Sequence, residues 1–484
     1  MENAALGSTD IRPHTLRTND PSASYLRTWG LYGADDSFID GGIMTASDYL
    51  SRLSGYYPSA WPAECGGPRR QKIVSSPGLN IQPDEHLIGH ARILEPGRWP
   101  VMFVQRAKGE LYLQGGSSFG ESEDTSGWVE QLDPISLEPI RRSPDLPSGG
   151  HKWCGAICVH ENGDLYVVNG TYVHRLNPKL EIVAEHRLAA NNAHNGHVVF
   201  SDGNIVTKDI RDDVTKRSVF TVLDQDLNLV DVFECPWNSV GRFSSDRQDG
   251  VDYLYVTSND IIHRLQYVAG RLTLDETWSA SYKVDREDSG YAWDSSIGDD
   301  CAWFMDNGES QSTINMLAAS PTGTGQAMPF APPVHTAPVR VWRVSTVDSS
   351  DCESFVPFGT PSGHIVSPPL YDQDRHILVA FDSQNGGIGA WRYEGPGVFT
   401  PLWKKEWRNA NQLTLYAETG ELIVDHVHKM GEWDAVVLDI ETGTERGRAD
   451  TGCFMPMGMW YTPGFERDFY TSTAVGRIGR VSVA

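Results

Sequence analysis

Three stretches set histidines beside glycine or asparagine just ahead of an apolar run: SGGHKWCG at His151, NNAHNGHV at His194 and His197, and PSGHIVSP at His364. Imidazole changes charge near neutral pH, so these residues are candidates for general acid and base work. Neutral imidazoles from separate strands also hold catalytic metals, and three of them leave a position open for water or substrate. A subset of His151, His194, His197 and His364 is therefore a candidate ligand set for one divalent metal ion. Arg242 in NSVGRFSS suits a carboxylate through a two-pronged contact. Asp294 in DSGYAWDSS suits a base, or a carboxylate that orients a histidine. Tyr291, Asn411 in NANQLTLY and His428 in HVHKMGEWD are candidates for holding a substrate. Each has a plainer reading as well. Fifteen histidines in 484 residues is ordinary usage, and a histidine beside glycine often only fastens a loop carbonyl.

The candidates matter only if the chain brings them together, and a repeat indicates how it does. The strand-like phrases WVEQLDP, YVHRLNP, VFTVLDQ, IIHRLQY, RVWRVST, GAWRYEG, AVVLDIE and RIGRVSV recur, with an apolar residue at Leu132, Leu176, Leu223, Leu265, Val344, Tyr393, Leu438 and Val481. They lie 42–49 residues apart, with one gap of 79. Within a unit, CGAICVHENGDLYVVNGTYVHRLNPKLEIVAEHRLA reads as four short strands rich in Val, Ile and Tyr, broken by Asn, Gly, Asp and Pro. A period in the forties with four strands per unit is the signature of a β-propeller. The fold expected is all-β: a single propeller of four-stranded blades, eight by this count, or seven if one unit has been split.

The last unit supplies only three strands before the sequence ends, which would leave an open edge. A strand from residues 70–94 is expected to close the ring. That leaves residues 1–69 as an N-terminal arm, partly disordered, and 70–484 as the propeller. A short helix is expected in TASDYLSRLSGYY, with Trp29 and Trp61 packing the arm onto the ring. The 79-residue gap holds an insertion, 308–338, rich in Pro, Ala, Gly and Thr; loops of that length are usually functional or disordered.

In such a ring the first strand of each blade lines the channel. The blade-to-blade loops then share one face with the loops joining second and third strands. That face, called upper here, collects His151, His194, His197, Arg242, Tyr291, Asp294, His364, Asn411 and Met455. The second-to-third-strand loops add His428, Glu432, Lys208 and Arg211, and the insertion is placed as a lid over the same funnel. Two constraints apply. The odd spacing of His194 and His197 sends them to opposite faces of a strand unless Gly196 breaks the alternation. Units two and six stand opposite each other in an eight-blade ring, which argues against one ion taking both His151 and His364.

Composition narrows the partners. With 64 acidic and 40 basic side chains the formal charge is −24, which repels nucleic-acid phosphate and anionic membrane surfaces. No basic-then-apolar leader opens the sequence and no run reaches 18 apolar residues, so a cytoplasmic protein that neither enters nor crosses a membrane is expected. Seven scattered cysteines without a CxxC pair give no disulfide framework and no structural zinc site.

The phrases DLYVVNGTYVHRLNPKLEIV and ELIVDHVHKMGEWDAVVLDIETG resemble the repeats of quinoprotein-like β-propellers, across roughly residues 95–484. The resemblance implies the ring architecture. The group includes pyrroloquinoline-quinone dehydrogenases, yet many relatives bind no quinone, and the adjacent Cys-Cys pair usual in its secreted alcohol dehydrogenases is missing here. A quinone is therefore the less favoured cofactor, and fold alone does not assign one. The function expected is a small-molecule enzyme with a His-lined axial funnel and proton-transfer chemistry of lyase, isomerase or hydratase type, with or without metal. The alternatives are a quinone- or metal-dependent oxidoreductase, and a non-catalytic propeller whose rim holds a protein partner.

Overall fold

The computed structural model describes residues 54–117, 125–211, 215–282, 289–308, 336–365, 367–429, 432–453, 460–473 and 476–484. Trp29, Met455, most of the stretch expected as a helix and most of the expected lid lie outside the described residues. Eight sheets, each built on four antiparallel strands, form eight blades; two carry a fifth strand, Leu146–Pro147 in blade one and the parallel Ile73–Val74 in blade seven. Their innermost strands are Arg98–Gln105, Cys154–Val159, His194–Val199, Phe243–Gln248, Ser296–Gly298, Leu370–Asp372, Thr414–Tyr416 and Tyr461–Pro463. Among the described residues the one helical element is a 3-10 turn at Glu64–Gly66, and no helix is long and apolar enough to cross a membrane.

The repeat phrases work as fasteners. In blades one to three the third strand ends at Leu132, Leu176 or Leu223, followed by Asp133, Asn177 or Asp224. The Oδ1 of each of these accepts two backbone N–H groups of the turn: Ile135 and Ser136, Lys179 and Glu181, Asp226 and Asn228. Such local bonds are why Asp and Asn favour turns. Each turn then drives a leucine (Leu137, Leu180, Leu227) into left-handed backbone at φ 61–65°. That conformation costs roughly 1–2 kcal/mol. Burying the side chain, at most 3 % exposed, returns about as much or more. The turns also receive the neighbouring blade. Tyr470, Tyr112 and Tyr166, all in second strands, donate their hydroxyls to Pro134, Pro178 and Gln225 carbonyls of the next blade round. The bond from Tyr470 to Pro134 joins blade eight to blade one.

Leu87–Ile93 pairs antiparallel with Arg477–Val483 and is the outermost strand of blade eight. The chain before it does something the repeat gave no hint of. Residues 55–74 thread the channel rather than lying against the outside. The free edges of the innermost strands carry N–H groups that need partners, and this segment supplies them in turn. Carbonyls of Trp61, Pro62, Pro68, Arg69 and Lys72 accept from Gln105, Val159, Ser245, Ile297 and Leu415, in five different blades. Ile73–Val74 then pairs in parallel with Leu415 and Tyr416 of blade seven. At the exit, Glu421 is fully buried and accepts backbone N–H bonds from Leu79, Asn80 and Ile81 at 2.7–3.0 Å. Gly78 has to be glycine there. Its φ is +70°, and a Cβ would sit 2.4 Å from Thr419 Oγ1 and 2.6 Å from Glu421 Oε2.

Candidate functional site

Above that segment the channel is walled by tryptophans. Trp99, Trp153 and Trp460 come from blades one, two and eight; the first two rings are 5.4 Å apart. Arg242 starts from the loop before blade four, across the ring from blade eight. Its guanidinium carbon nevertheless lies 4.9 Å from the Trp460 ring and 5.4 Å from Trp153. A group that reaches from blade four to blade eight stands on the axis. Stacking on two rings is worth roughly 1–2 kcal/mol at such a desolvated position. Below, Arg242 Nε meets Glu64 Oε1 at 2.8 Å. Glu64 shares that oxygen with Arg70 at 2.8 Å, and Arg70 grips Asp294 Oδ2 at 2.6 and 2.9 Å.

Two expected site residues are therefore engaged by the protein's own N-terminal segment. Burial alone would raise the Asp294 carboxyl, but Arg70, Arg242 and Lys72 together hold it below its ordinary value. Asp294, expected as a base or as a carboxylate that orients a histidine, is engaged on Oδ2 by the Arg70 guanidinium. Arg242 keeps one free prong: its Nη2 is buried with no hydrogen-bond partner among the described residues.

The histidines divide. His194 is fully buried, and its Nδ1 sits 3.0 Å from the Asn192 carbonyl. A carbonyl cannot donate, so Nδ1 carries the hydrogen and Nε2 presents a bare lone pair, which has no partner among the described residues. Burial lowers the pKa to about 3, with Lys208 and His151 acting in the same direction. His151 is half-buried and also lowered by burial, and its Nδ1 is unpartnered among the described residues. Gly170 lets the pair close up. Its φ is +53°, a Cβ would come 2.9 Å from His151 Cβ, and its carbonyl accepts the His194 N–H at 2.9 Å.

The spacing of His194 and His197 predicts opposite faces, but a bulge overrides it. His194 opposes Asp209 and His197 opposes Thr207, so three residues span two, with Gly196 at φ +74° absorbing the extra one. Both rings then face blade two, His194 beside His151 and His197 beside His160. The others are elsewhere. His364 is buried in the blade-six frame, its N–H 3.3 Å from Asp382 Oδ1 and its carbonyl accepting Ser383. Asn411 is buried likewise in blade seven, with its N–H on Asp425. Tyr291 receives Asn238 Nδ2 on its hydroxyl at 3.3 Å. His428 is exposed at the rim, bonded to Asp434 at 3.0 Å and 4.1 Å from the His426 ring. Among the described residues no three His, Cys, Asp or Glu side chains gather as an ion site. Of the four histidines from which a ligand subset was expected, His151 and His194 adjoin at Gly170, and among the described residues no third side chain joins them as an ion site.

Sequence reasoning placed Lys208 at the funnel but missed Glu64, Arg70 and Lys72. Lys72 Nζ reaches Ser296 Oγ and the Pro369 carbonyl at 3.0 and 2.8 Å, and Lys208 Nζ the Asp209 and Ser239 carbonyls at 2.9 Å each. Burial lowers both ammonium groups to about 8. The signal available was a knot of charge, ECGGPRRQK, which reads as a solvated linker.

The protonation state of His194 gives a testable result. Its folded pKa of about 3 lies below the ordinary 6.5, so between those values the unfolded chain holds a proton that the folded chain refuses. Stability present above pH 6.5 is lost as pH falls. Wild type should lose about 2 kcal/mol more than His194→Gln between pH 7.5 and 5 in urea denaturation. Equal losses would place a charged, solvated ring there.

The quinone that the resemblance raises can be tested on these side chains. A planar ring needs a bare aromatic face, but Arg242 covers Trp153 and Trp460. All seven cysteines are free thiols, so no disulfide stands opposite. On the faces of Trp153 and Trp460 that Arg242 covers, the residues present leave no place for a stacked quinone.

No family model matches the sequence, and no curated protein does. Among solved structures the chain resembles the quinohemoprotein alcohol dehydrogenase of Comamonas testosteroni, with TM-score 0.56 and 12 % identity over 95 % of this chain and 84 % of that one. It also resembles the quinohemoprotein alcohol dehydrogenase ADHIIG of Pseudomonas putida HK5, with TM-score 0.58 and 10 % identity over 91 % and 82 %. At such identity the likeness is one of fold alone: an eight-bladed β-propeller, similar in architecture to those two dehydrogenases.

Proposed function

We propose that the upper end of the axis binds a small organic molecule and moves a proton on it, in chemistry of lyase, isomerase or hydratase type. His194 Nε2 takes the proton and His151 is its exchange partner. What supports this reading is one observation: a fully buried imidazole with a fixed tautomer and an unmet lone pair, beside a second imidazole, at the channel end where Arg242 stands on the axis. A buried acceptor left unmet costs roughly 1–3 kcal/mol, so a ligand that donates to it gains that much. Neutral imidazole is the form that accepts a proton.

Proton transfer leaves a mark that can be read before any substrate is identified. Full-length protein incubated in D2O with a small-metabolite extract should add deuterium to carbon in particular compounds, seen by mass spectrometry. His194→Gln should lower that incorporation at least ~100-fold, the lower end of general-base contributions. Equal incorporation by wild type and variant, or none by either, overturns the reading. A rim that only holds a protein partner gives the second outcome.

A further inference from the structure

The axial cluster does not balance its charge. Arg70, Arg242, Lys72 and Lys208 are all buried, and they face two buried carboxylates, Glu64 and Asp294. Each lysine donates only to carbonyls or a hydroxyl. The remaining carboxylate nearby, Asp209, is taken by Arg211 at 2.6 Å. Asp294 and Arg242 both act on Lys208, and Asp294 on Lys72, so these groups form one electrostatic unit. Among the described residues it carries two more cations than anions, inside a chain whose formal charge is −24. Buried charge is tolerated when it is paired.

The unmet groups state what is missing. Arg242 Nη2 is a donor unpartnered among the described residues, at a residue 8 % exposed, and a guanidinium prefers a carboxylate. His194 Nε2 is an unpartnered acceptor, which a carboxylate cannot satisfy but a hydroxyl can. Gly196, two residues from His194, has its Cα against the Arg242 stem: a Cβ there would lie 3.2 Å from Cγ. The donor and the acceptor thus come from touching segments.

Resting on the proton-transfer reading, we infer that the molecule bound here is a small hydroxycarboxylate, its carboxylate on Arg242 and its hydroxyl donating to His194 Nε2. The arriving anion also strengthens the base, since a negative charge beside an imidazole favours its protonated form. The site becomes competent for proton transfer when its ligand is in place.

The test is calorimetric titration of the full-length protein with glycolate, lactate and malate, against acetate, propionate and succinate, which lack the hydroxyl, and 1,2-propanediol, which lacks the carboxylate. At least one hydroxy acid should bind ~10-fold or more tighter than its deoxy counterpart, the loss expected when a buried acceptor is left unmet. The diol should not bind. Arg242→Gln should abolish hydroxy-acid binding; because that variant also disturbs Glu64, the wild-type series alone decides the hydroxyl requirement. Deoxy acids binding as well as hydroxy acids, or no acid binding at all, overturns the inference. Deuterium exchange on a non-acidic metabolite would then leave the proton-transfer reading standing alone. Hydroxy-acid binding without exchange would sink that reading instead.

Discussion

A chain that begins at residue 95 should fail to fold. It lacks Leu87–Ile93, so blade eight would end on the open edge of Arg477–Val483, and such an edge recruits other chains. It also lacks the channel segment. The N–H groups of Gln105, Val159, Ser245, Ile297 and Leu415 would lose their acceptors, and Asp294 would lose Arg70. At ~1 kcal/mol or more for each unmet backbone group, the deficit rivals the roughly 5–15 kcal/mol that holds a typical domain together. The expected outcome is aggregate or a species without near-ultraviolet circular dichroism. A soluble monomer with the wild-type melting temperature would show that the ring closes without its N-terminal strand and filling.

The second large effect centres on Arg70. Its guanidinium binds Asp294 through Nε and Nη2 and Glu64 through Nη2, with all three residues buried. Arg70→Met should destabilise by ~3–5 kcal/mol, the usual result of stripping one partner from a buried ion pair. Glu64 keeps Arg242, so Asp294 bears most of the damage. Arg70→Met combined with Asp294→Leu should regain part of the loss, because two apolar groups of similar bulk leave no orphaned charge. Urea unfolding midpoints report both. A single variant within about 1 kcal/mol of wild type would mean that the network is solvated.

The ring was legible because its devices are local. Leu-Asp-Pro, Leu-Asn-Pro and Leu-Asp-Gln announce the turn after the third strand, and their carbonyls are the ones the neighbouring tyrosines find. The gathering of histidines at one end followed from topology. What each would face did not. His194 and His197 share a side only because a bulge at Gly196 cancels their spacing, and the His364 backbone is fastened to Asp382 of its own blade. The channel segment left still less trace. SAWPAECGGPRRQK has no strand periodicity, and its partners are scattered around the ring. Arg69 reaches 177 residues to Asp246 and Cys65 reaches 347 to Gln412. Contacts at that range are written in three dimensions only.

That range also bears on how the protein is made. Arg467 clasps Glu85 across 382 residues of sequence, and Leu87 lies against Val483. Glu85 and Leu87 are thus made long before the residues that become their neighbours. Domains assemble from the N-terminus as they emerge, at about 5–20 residues per second. Here Glu85 waits roughly 20–80 seconds at that pace for Arg467. During that interval the channel segment has blades one and two to bond to, but not yet Leu415 of blade seven. The ring stays open until Arg477–Val483 is there for Leu87–Ile93 to pair with.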